Sequence, residues 1–168
     1  MDAVGSIAAD DHEGADSYVV FELGGESYAL GVDRVREVLD VGALTRVPGS
    51  GRALCGLFNL RGHVIPVWDL RVPFRLDPDE GEGKTPCILM VDADPGPDTR
   101  LSGLLVDRVS DVLEALPEDI QPAPAFGLGE GSAFVRGLIR HHDRFLLLLD
   151  LDRVLSVLTD EGPAARAS

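Results

Sequence analysis

Residues 28–39 read YALGVDRVREVL, and residues 102–113 read SGLLVDRVSDVL. At this offset of 74, seven of the twelve positions are identical. A second match follows in the same order, because residues 54–74 (LCGLFNLRGHVIPVWDLRVPF) align with residues 135–155 (VRGLIRHHDRFLLLLDLDRVL) at an offset of 81. Two ordered matches at similar offsets predict two copies of one unit of ~70–80 residues. The Gly-, Pro- and Ala-rich stretch 122–133 predicts a longer loop in the second copy, which accounts for the change of offset.

Each copy consists of short apolar runs separated by turn residues, a pattern typical of β-hairpins. YVVFEL (18–23) and ESYALGV are separated by Gly24-Gly25, which predicts the first hairpin. The second pair of matching segments predicts two more hairpins, with turns at Arg61-Gly62 and near His142-Asp143. TPCILMVD and RLSGLLVD predict a fourth strand pair, joined by the loop ADPGPD.

The VDRV segments carry a spacing that fits neither a helix nor a strand, because Val32, Val35, Val38 and Val41 recur every three residues. We expect a single helical turn that runs into a bent strand. The final LDLDRVLSVL predicts a strand that passes into a short helix. About five short strands per copy are too few for a sandwich and sufficient for a small barrel. The predicted fold class is therefore mainly β, with two small five-stranded barrels packed side by side through aliphatic faces and a few short helices.

The 168 residues are predicted to form one folded domain with a tail at each end. Residues 1–16 are acidic and almost free of large apolar side chains, so we expect them to be disordered. A similar composition predicts a flexible tail over 159–168. The predicted domain covers 17–158. Its two subdomains cover roughly 28–80 and 86–158, and the strand 18–23 contributes to their packing.

The composition predicts a soluble cytosolic protein. Its formal net charge is −14, which disfavours nucleic acid and anionic lipid as partners because both carry negative phosphates. The first residues have neither the basic region nor the apolar run of a signal peptide. The longest aliphatic run, 145–149, is too short to cross a bilayer, so no direct membrane insertion is expected. The basic residues are all arginine except Lys84, and arginine suits specific pairing with carboxylates.

Motifs that would carry catalysis, a cofactor or a metal are incomplete. Gly83-Lys84-Thr85 resembles the end of a phosphate loop, but the glycine required five residues earlier is Pro78. His141 and His142 are adjacent in a predicted strand, so they point to opposite faces and are poorly placed to share a metal ion. The two cysteines form no CxxC motif, and no Ser or Cys has a histidine placed to activate it. We therefore predict no enzyme, no cofactor and no metal site.

Two alternatives from other classes stay open on the residues alone. Asp69 and Asp150 occupy equivalent places in the two copies, as the aspartates of a protease dyad do. Each is followed by leucine at the end of an aliphatic strand, which favours a capping carboxylate over catalysis. A barrel with a small-molecule cavity is the other alternative, and a core of Val and Leu between the barrels would exclude it.

The remaining candidates are surface residues. NLRG, residues 59–62, places Asn59 and Arg61 at a hairpin tip on a stiff strand pair, a common way to present a binding site. A solvated turn is the alternative interpretation. Val35 and Glu37 share one face of an extended segment and could border a partner contact, unless Val35 belongs to the core.

Three segments together resemble the CheW-type chemotaxis coupling proteins: YVVFELGGESYALGVDRVREVL, GLFNLRGHVIPVWDLR, and GLLVDRVSDVL followed by IQPAP. The resemblance runs from about Tyr18 to Leu158. It implies two SH3-like five-stranded barrels and an adaptor that needs neither catalysis nor a cofactor. It also implies two partners, the cytoplasmic tip of methyl-accepting chemoreceptors and the regulatory domain of the histidine kinase CheA. Such an adaptor is cytoplasmic and is recruited to membrane-associated receptor arrays.

The resemblance further implies partner-binding residues, matched by position. On the first barrel, the region of partner contact would hold Val35, Glu37, Asn59 and Arg61. The groove between the barrels, where a receptor helix docks, would be lined by Gly103, Val109 and Val112. Because Glu37 and Arg61 carry opposite charges, we expect a surface ion pair that orients Arg61 for a partner.

One motif leaves open which chemosensory pathway the protein serves, and one turn departs from the family's pattern. RVPG (46–49) together with NLRG also resembles coupling proteins of pilus-type or other non-flagellar chemosensory pathways. Genomic neighbours would decide between the pathways. The second-copy turn HHDR (141–144) is richer in histidine than the pattern predicts.

Overall fold

A computed structural model describes residues 15–42, 44–48, 53–74, 76, 86–93, 100–122 and 134–161. These residues form eleven strands, two short 3-10 turns (Val32–Arg34 and Pro117–Asp119) and one helix, α1 (Leu151–Glu161). In chain order the strands are β1 (Asp16–Leu23), β2 (Glu26–Gly31), β3 (Val35–Asp40), β4 (Leu54–Leu60), β5 (His63–Asp69), β6 (Cys87–Asp92), β7 (Leu101–Val106), β8 (Arg108–Ala115), β9 (Ile120–Pro122), β10 (Val135–His141) and β11 (Arg144–Leu149). The predicted fold class, mainly β with little helix, is confirmed.

The predicted tails and the longest predicted loops fall largely outside this description. Asp16 begins β1 and Glu161 ends α1, so the structure describes only residues 15–16 and 159–161 of the two predicted tails. Apart from Pro122, which ends β9, the predicted loop 122–133 lies outside the described residues, and so does the ADPGPD loop after Ala93. The phosphate-loop-like segment 83–85 also lies outside them. The boundaries 17–158, 28–80 and 86–158 stay predictions about the chain.

The strands form two sheets with one common plan. The first sheet has the order β8-β1-β2-β11-β10-β9, and the second has the order β3-β6-β7-β5-β4. In the repeat, β1 to β5 of the first copy correspond to β6, β7, β8, β10 and β11 of the second copy. Equivalent strands therefore occupy equivalent places in the two sheets, and each sheet has one parallel pair at the same place, β2 with β11 and β5 with β7. This correspondence confirms the duplication.

The two copies exchange strands. The first sheet combines β1 and β2 of the first copy with β8 to β11 of the second, whereas the second sheet combines β3, β4 and β5 with β6 and β7. Each sequence copy thus contributes strands to both sheets. Sequence similarity between copies could not show this, because equivalent strands present the same pairing pattern to either partner.

The predicted hairpins and their turns are confirmed. Antiparallel ladders join β1 to β2, β4 to β5, β10 to β11 and β6 to β7. The turns Gly24-Gly25, Arg61-Gly62 and His142-Asp143 have positive φ angles between 51° and 89° at both central residues. Paired positive φ angles are typical of the tight turn whose twist matches that of the flanking strands.

The three-residue valine spacing has two structural causes. The predicted helical turn is the 3-10 turn Val32–Arg34, which has about three residues per turn. In β3 the register then shifts between Val35 and Glu37, and this bulge brings Val35 and Val38 opposite Val91 and Leu89, on one face of the sheet. A register shift at the equivalent place in β8 does the same for the second VDRV segment.

Three apolar cores hold the sheets together. One contains only residues of the first sheet, among them Val20 and Ile139, and another contains only residues of the second sheet, among them Val67 and Met90. The largest lies between the sheets and includes residues of both sheets together with Val154, Leu155 and Leu158 of α1. The predicted aliphatic contact between the two halves is therefore confirmed, and its packing by Val and Leu disfavours the small-molecule cavity.

Candidate partner-binding groove

The turn between β4 and β5 holds Arg61 in a fixed, outward position. Arg61 has a φ of 51°, in the left-handed region that non-glycine residues rarely adopt. The Asn59 side-chain oxygen accepts a hydrogen bond from the Gly62 N–H at 2.9 Å, which stabilises the turn from within. Asn59 and Arg61 are both exposed. The turn thus presents a cation on a rigid hairpin.

The predicted ion pair is present. Arg61 Nη2 donates to Glu37 Oε2 at 2.9 Å, with the side chains 67% and 36% exposed, respectively. β3 and β4 stand at opposite ends of the second sheet, so this contact links the β4–β5 turn to the opposite edge strand through side chains. An exposed pair contributes only ~0–1 kcal/mol to stability. Its main effect is to fix the position of both charged groups.

A groove of about 670 Å³ opens beside this pair. Its lining combines arginine and histidine side chains with one carboxylate, several apolar side chains and the end of α1. The lining residues are Arg36, Glu37, Leu60, Arg61, His63, Val64, Ile65, Pro66, Trp68, Ala93, Arg100, Leu101, Ser102 and Thr159. Val64 is 67% exposed, the largest exposed fraction among the described large apolar side chains.

Buried Asp92 orients the arginines of β3 and of the turn before it, through its carboxylate and its carbonyl, respectively. Arg36 Nε donates to both oxygens of Asp92 at 2.9 and 2.8 Å, and Asp92 is buried. Arg34 Nη2 donates to the Asp92 carbonyl at 2.8 Å and to Asp152 of α1 at 3.0 Å. Ion pairs with a buried partner are costly to break, so the Arg36 side chain is held in place at the groove.

The other predicted partner-binding residues lie elsewhere. Val35 is half-buried against the core between the sheets, and so are Val109 and Val112 on β8. Gly103 is buried in β7, where a Cβ would come within 2.8 Å of the Ile88 side chain. The structure therefore groups Glu37, Asn59 and Arg61 near one groove and separates the other four from it. The part that all seven play in partner binding stays a prediction.

Sequence reasoning missed several groove residues. Arg36, His63 and Val64 lie next to predicted site residues, so the alternation of strand side chains could have indicated them. Trp68 and Arg100 carried no comparable signal. Their places depend on how β5 and β7 pair in parallel, which the sequence does not show.

The two equivalent aspartates act as structural carboxylates. Arg71 donates to Asp69 from its backbone N–H and from Nε, both at 3.0 Å to Oδ1, and from Nη2 to Oδ2 at 3.1 Å. Hydrogen bonding to Asp69 raises the pKa of Arg71. Asp150 accepts the Arg153 N–H at 3.2 Å and caps the start of α1. Each carboxylate is occupied by an arginine two or three residues later, which supports the capping interpretation over a shared catalytic dyad.

The thiols and histidines add no reactive site. Burial raises the pKa of the Cys55 thiol to about 11, and burial also raises that of Cys87, which disfavours the nucleophilic thiolate at neutral pH. The His141 and His142 rings lie with their centroids 4.1 Å apart at an interplanar angle of 57°. The expectation that they point to opposite faces is therefore wrong, because His142 lies in the turn, with a φ of 51°, and not in the strand. Within the described ranges, no three His, Cys, Asp or Glu side chains converge to hold a metal ion. No helix in the part of the chain described here has the length and hydropathy needed to cross a membrane.

Two SH3-like β-sheet subdomains, a charged groove and carboxylates engaged in structural contacts define a β-sheet interaction module. Comparison with known proteins gives the family. The sequence model of the CheW-like domain matches residues 17–159, and the chain belongs to this family, as the three sequence segments indicated.

Individual relatives agree with this assignment. The chain is 32% identical over 139 residues to the chemotaxis protein CheW of Klebsiella aerogenes, covering 83% of this chain and 81% of that protein. It is 30% identical over 140 residues to the chemotaxis protein CheW of Bacillus subtilis, covering 83% and 86%. The crystal structure of the scaffolding protein TtCheW from Thermoanaerobacter tengcongensis matches with a TM-score of 0.72 at 28% identity, covering 83% of this chain and 91% of that one.

Proposed function

We propose that this protein is a non-enzymatic chemotaxis adaptor that couples chemoreceptors to the histidine kinase CheA. Membership of the CheW-like family supports this role, since the relatives named above are chemotaxis proteins and one is a scaffolding protein. Its partners are the cytoplasmic receptor tip and the regulatory domain of CheA. The protein acts in the cytoplasm at membrane-associated receptor arrays, without a cofactor.

The observation that carries the proposal is the exposed Arg61–Glu37 pair in a groove lined by both apolar and charged side chains. Protein interfaces combine a few apolar anchors with a polar rim that excludes water and sets orientation. Here Val64 supplies an exposed anchor, and the pair supplies the rim at 2.9 Å. Because the turn and the pair fix Arg61 before binding, little side-chain entropy is lost when a partner docks.

Val35, Val109, Val112 and Gly103 have an indirect role in this proposal. The three valines pack on the core between the sheets, and Gly103 lies against Ile88 and Val67 in the core of the second sheet, so these residues set the position of the sheets rather than one contact point. A helix docked along the junction of the sheets would contact both sheets, so its binding would depend on their relative position.

The test is a pull-down with a receptor cytoplasmic fragment and with the kinase regulatory domain, comparing the wild type with Arg61→Glu. We expect at least about tenfold weaker binding to one or both partners, with a nearly unchanged melting temperature, because a rim charge affects binding more than folding. Arg140→Glu is the matched control, since Arg140 is exposed on β10 and does not line the groove.

The double variant Glu37→Arg, Arg61→Glu separates two causes. Partial recovery of binding would show that the pair's geometry matters, whereas continued loss would show that the positive charge at position 61 itself meets the partner. Undiminished binding by Arg61→Glu, or extensive unfolding of that variant, would contradict the proposal.

A further inference from the structure

The β10–β11 hairpin concentrates positive charge in a strongly acidic chain. The chain has a formal net charge of −14. Residues 135–149, which form the hairpin, include three arginines, Arg136, Arg140 and Arg144, and all three are exposed. The same residues include only one carboxylate, that of Asp143. A local reversal of sign on this scale attracts negatively charged segments.

The three arginines of the hairpin are not neutralised by partners. Within the described part of the chain, none of them forms a hydrogen bond or an ion pair. Arg36 and Arg61 of the second sheet differ in this respect, because carboxylates already pair with both. A solvated guanidinium can still direct its donors to an incoming carboxylate.

An exposed aromatic ring lies beside one of these charges. Phe145 is 50% exposed, and it stands directly opposite Arg140 in the ladder between β10 and β11. Residues opposite one another in an antiparallel ladder share a face of the sheet. Half-buried Leu138 belongs to the same face, two residues before Arg140. We call Arg136, Leu138, Arg140 and Phe145 the hairpin face, which offers cations and an apolar contact side by side.

The chain enters the first sheet at the Arg136 end of this face. β1 is antiparallel to β2, β2 is parallel to β11, and β11 is antiparallel to β10. β1 and β10 therefore run in the same direction, so Asp16 and Arg136, near their starts, lie at the same end of the sheet. Both charges act on Tyr18, since burial raises the pKa of Tyr18, Asp16 raises it further and Arg136 opposes the increase.

The segment before β1 complements the hairpin face in charge. Residues 1–14 contain no Lys or Arg, and their carboxylates belong to Asp2, Asp10, Asp11 and Glu13. When extended, a segment of this length spans ~45–50 Å. The four residues from Arg136 to Arg140 span only ~13 Å along a strand, so the segment is long enough to reach the whole face. Because the segment is tethered, its effective concentration there is about millimolar, which is sufficient for weak surface pairing.

We propose that the acidic segment 1–14 docks on the hairpin face of its own chain. Its carboxylates pair with Arg136 and Arg140, and the apolar side chain of Ile7 packs on Phe145. The free protein thereby covers a face that would otherwise attract acidic segments of other proteins. This contact goes beyond the adaptor function and does not depend on it, because the groove beside Arg61 belongs to the other sheet.

A nitroxide label on the full chain tests where the segment lies. The label is attached at Ser6→Cys, and it should react preferentially there, because burial raises the pKa of the native thiols of Cys55 and Cys87. Amide NMR signals are compared before and after the nitroxide is reduced. We expect the signals of β10 and β11 to lose at least about half of their intensity, and to recover as salt screens the charges.

Charge variants in the labelled chain test the pairing. Neutralising the segment (Asp2→Asn, Asp10→Asn, Asp11→Asn, Glu13→Gln) and reversing the face (Arg136→Glu, Arg140→Glu) should each reduce the intensity loss at least about twofold. Arg46→Glu is the matched control, because Arg46 is exposed between β3 and β4 of the second sheet, and it should leave the loss unchanged. Thermal melts report whether the face variant is folded, and the neutral segment tests the pairing without altering the hairpin.

A mixed sample tests whether the contact lies within one chain. Labelled chains without ¹⁵N are mixed with ¹⁵N chains that carry no nitroxide, and we expect no loss of signal on β10 and β11. A loss in the mixture equal to that in the single chain would assign the segment to a neighbouring copy and overturn the proposal. An even loss over the whole surface, a loss centred on the groove beside Arg61, or a loss unchanged by the neutral segment would also overturn it.

These outcomes are distinct from those of the adaptor proposal. If the segment does not dock but Arg61→Glu weakens partner binding, the docking inference is wrong and the adaptor function stands. If the segment docks but Arg61→Glu binds both partners as the wild type does, the reverse holds. Arg140→Glu stays the control for the pull-down, because it changes the hairpin face and not the groove.

Discussion

The groove of the second sheet and its counterpart in the first sheet lie on equivalent strands and carry different chemistry. The counterpart is smaller, about 280 Å³. At three positions that line the larger groove, Arg36, Glu37 and Arg61, the smaller groove has Ser110, Asp111 and His142. The Arg61–Glu37 pair of one groove thus corresponds to a histidine and a shorter carboxylate in the other. The two copies therefore share the strand arrangement and differ in the charged side chains that line the groove.

The shared strand arrangement includes two glycines that serve the same purpose. A Cβ on Gly56 would come within 2.7 Å of the Thr45 carbonyl oxygen, and a Cβ on Gly137 within 2.6 Å of the Gln121 carbonyl oxygen. In both sheets a neighbouring backbone approaches the strand at this point, where the ladder also shifts register. The glycine that the two copies share at positions 56 and 137 is therefore explained by a close backbone approach.

The largest loss of stability should come from substituting the two equivalent glycines, and it should be equal in the two sheets. We expect Gly56→Ala and Gly137→Ala each to lower the free energy of unfolding by ~1–3 kcal/mol, because the added methyl overpacks against backbone. Gly42→Ala is the control, since its Cβ would meet only Phe58 at an ordinary 3.7 Å. Urea denaturation of the three variants measures this. A large loss in only one half would show that the two frameworks are not equivalent.

Substituting the two equivalent aspartates, Asp69 and Asp150, should lower the free energy of unfolding by different amounts. Asp69→Ala removes the bidentate partner of half-buried Arg71 and should cost about 2 kcal/mol, whereas Asp150→Ala removes a helix cap and should cost about 1 kcal/mol. Both keep the same backbone bond, because Asp69 N–H donates to Ala53 and Asp150 N–H to Phe134. The unfolding free energies of the two variants decide the order, and the reverse order would contradict the assigned roles.

An alkaline loss of stability should arise in the first sheet at Tyr28, whose equivalent in the second sheet is Ser102. Burial, with a smaller contribution from Glu26, raises the pKa of Tyr28 to about 12. The unfolded phenol ionises near 10, so above about pH 10 the unfolded state loses its proton first and is favoured. Stability therefore falls as pH rises from about 10 to about 12, by roughly 1 kcal/mol at about pH 11.

Comparing the wild type with Tyr28→Phe at about pH 8 and about pH 11 measures this contribution. The variant lacks the ionisable group, so its free energy of unfolding should fall less between the two pH values. Tyr18, whose pKa burial also raises, is present in both proteins and cancels. Identical losses in wild type and variant would contradict the prediction.

The smallest effect should come from transferring the ion pair. The double variant Asp111→Glu, His142→Arg gives the first sheet the residues of the Glu37–Arg61 pair. A double-mutant cycle should find a coupling free energy of at most ~1 kcal/mol that decreases with salt. The cycle on Glu37 and Arg61 is the reference. A zero coupling in the transferred pair beside a measurable native one would show that the rims differ in geometry as well as in residue type.

Local features of the fold were predictable from the residues. Gly24-Gly25, Arg61-Gly62 and His142-Asp143 lie at the predicted turns, because few residue pairs suit a tight turn between alternating apolar runs. The three-residue valine spacing also indicated a helical turn and a bend, and the structure has a 3-10 turn and a bulge there. The Glu37–Arg61 contact followed from opposite charges together with the expectation of a closed sheet.

Long-range features were not predictable. Gly103 was expected to line a groove at the surface. It is buried against Ile88 and Val67, because β7 is the middle strand of its sheet. Trp68 lies on β5 and Arg100 directly precedes β7, with no motif in common, and they line the same groove only through the parallel pairing of these two strands. Parallel pairing of distant segments leaves no trace in either segment alone.

By itself, the sequence determined the hairpins, their turns, the duplication and the family, since each depends on residues near one another in the chain or on a repeated pattern. The tertiary structure alone decided that the copies exchange strands and that Trp68 and Arg100 line the same groove. Those features depend on which equivalent edge each strand pairs with, and the two edges offer nearly the same backbone hydrogen bonds. Only the packing of the shared core between the sheets distinguishes them.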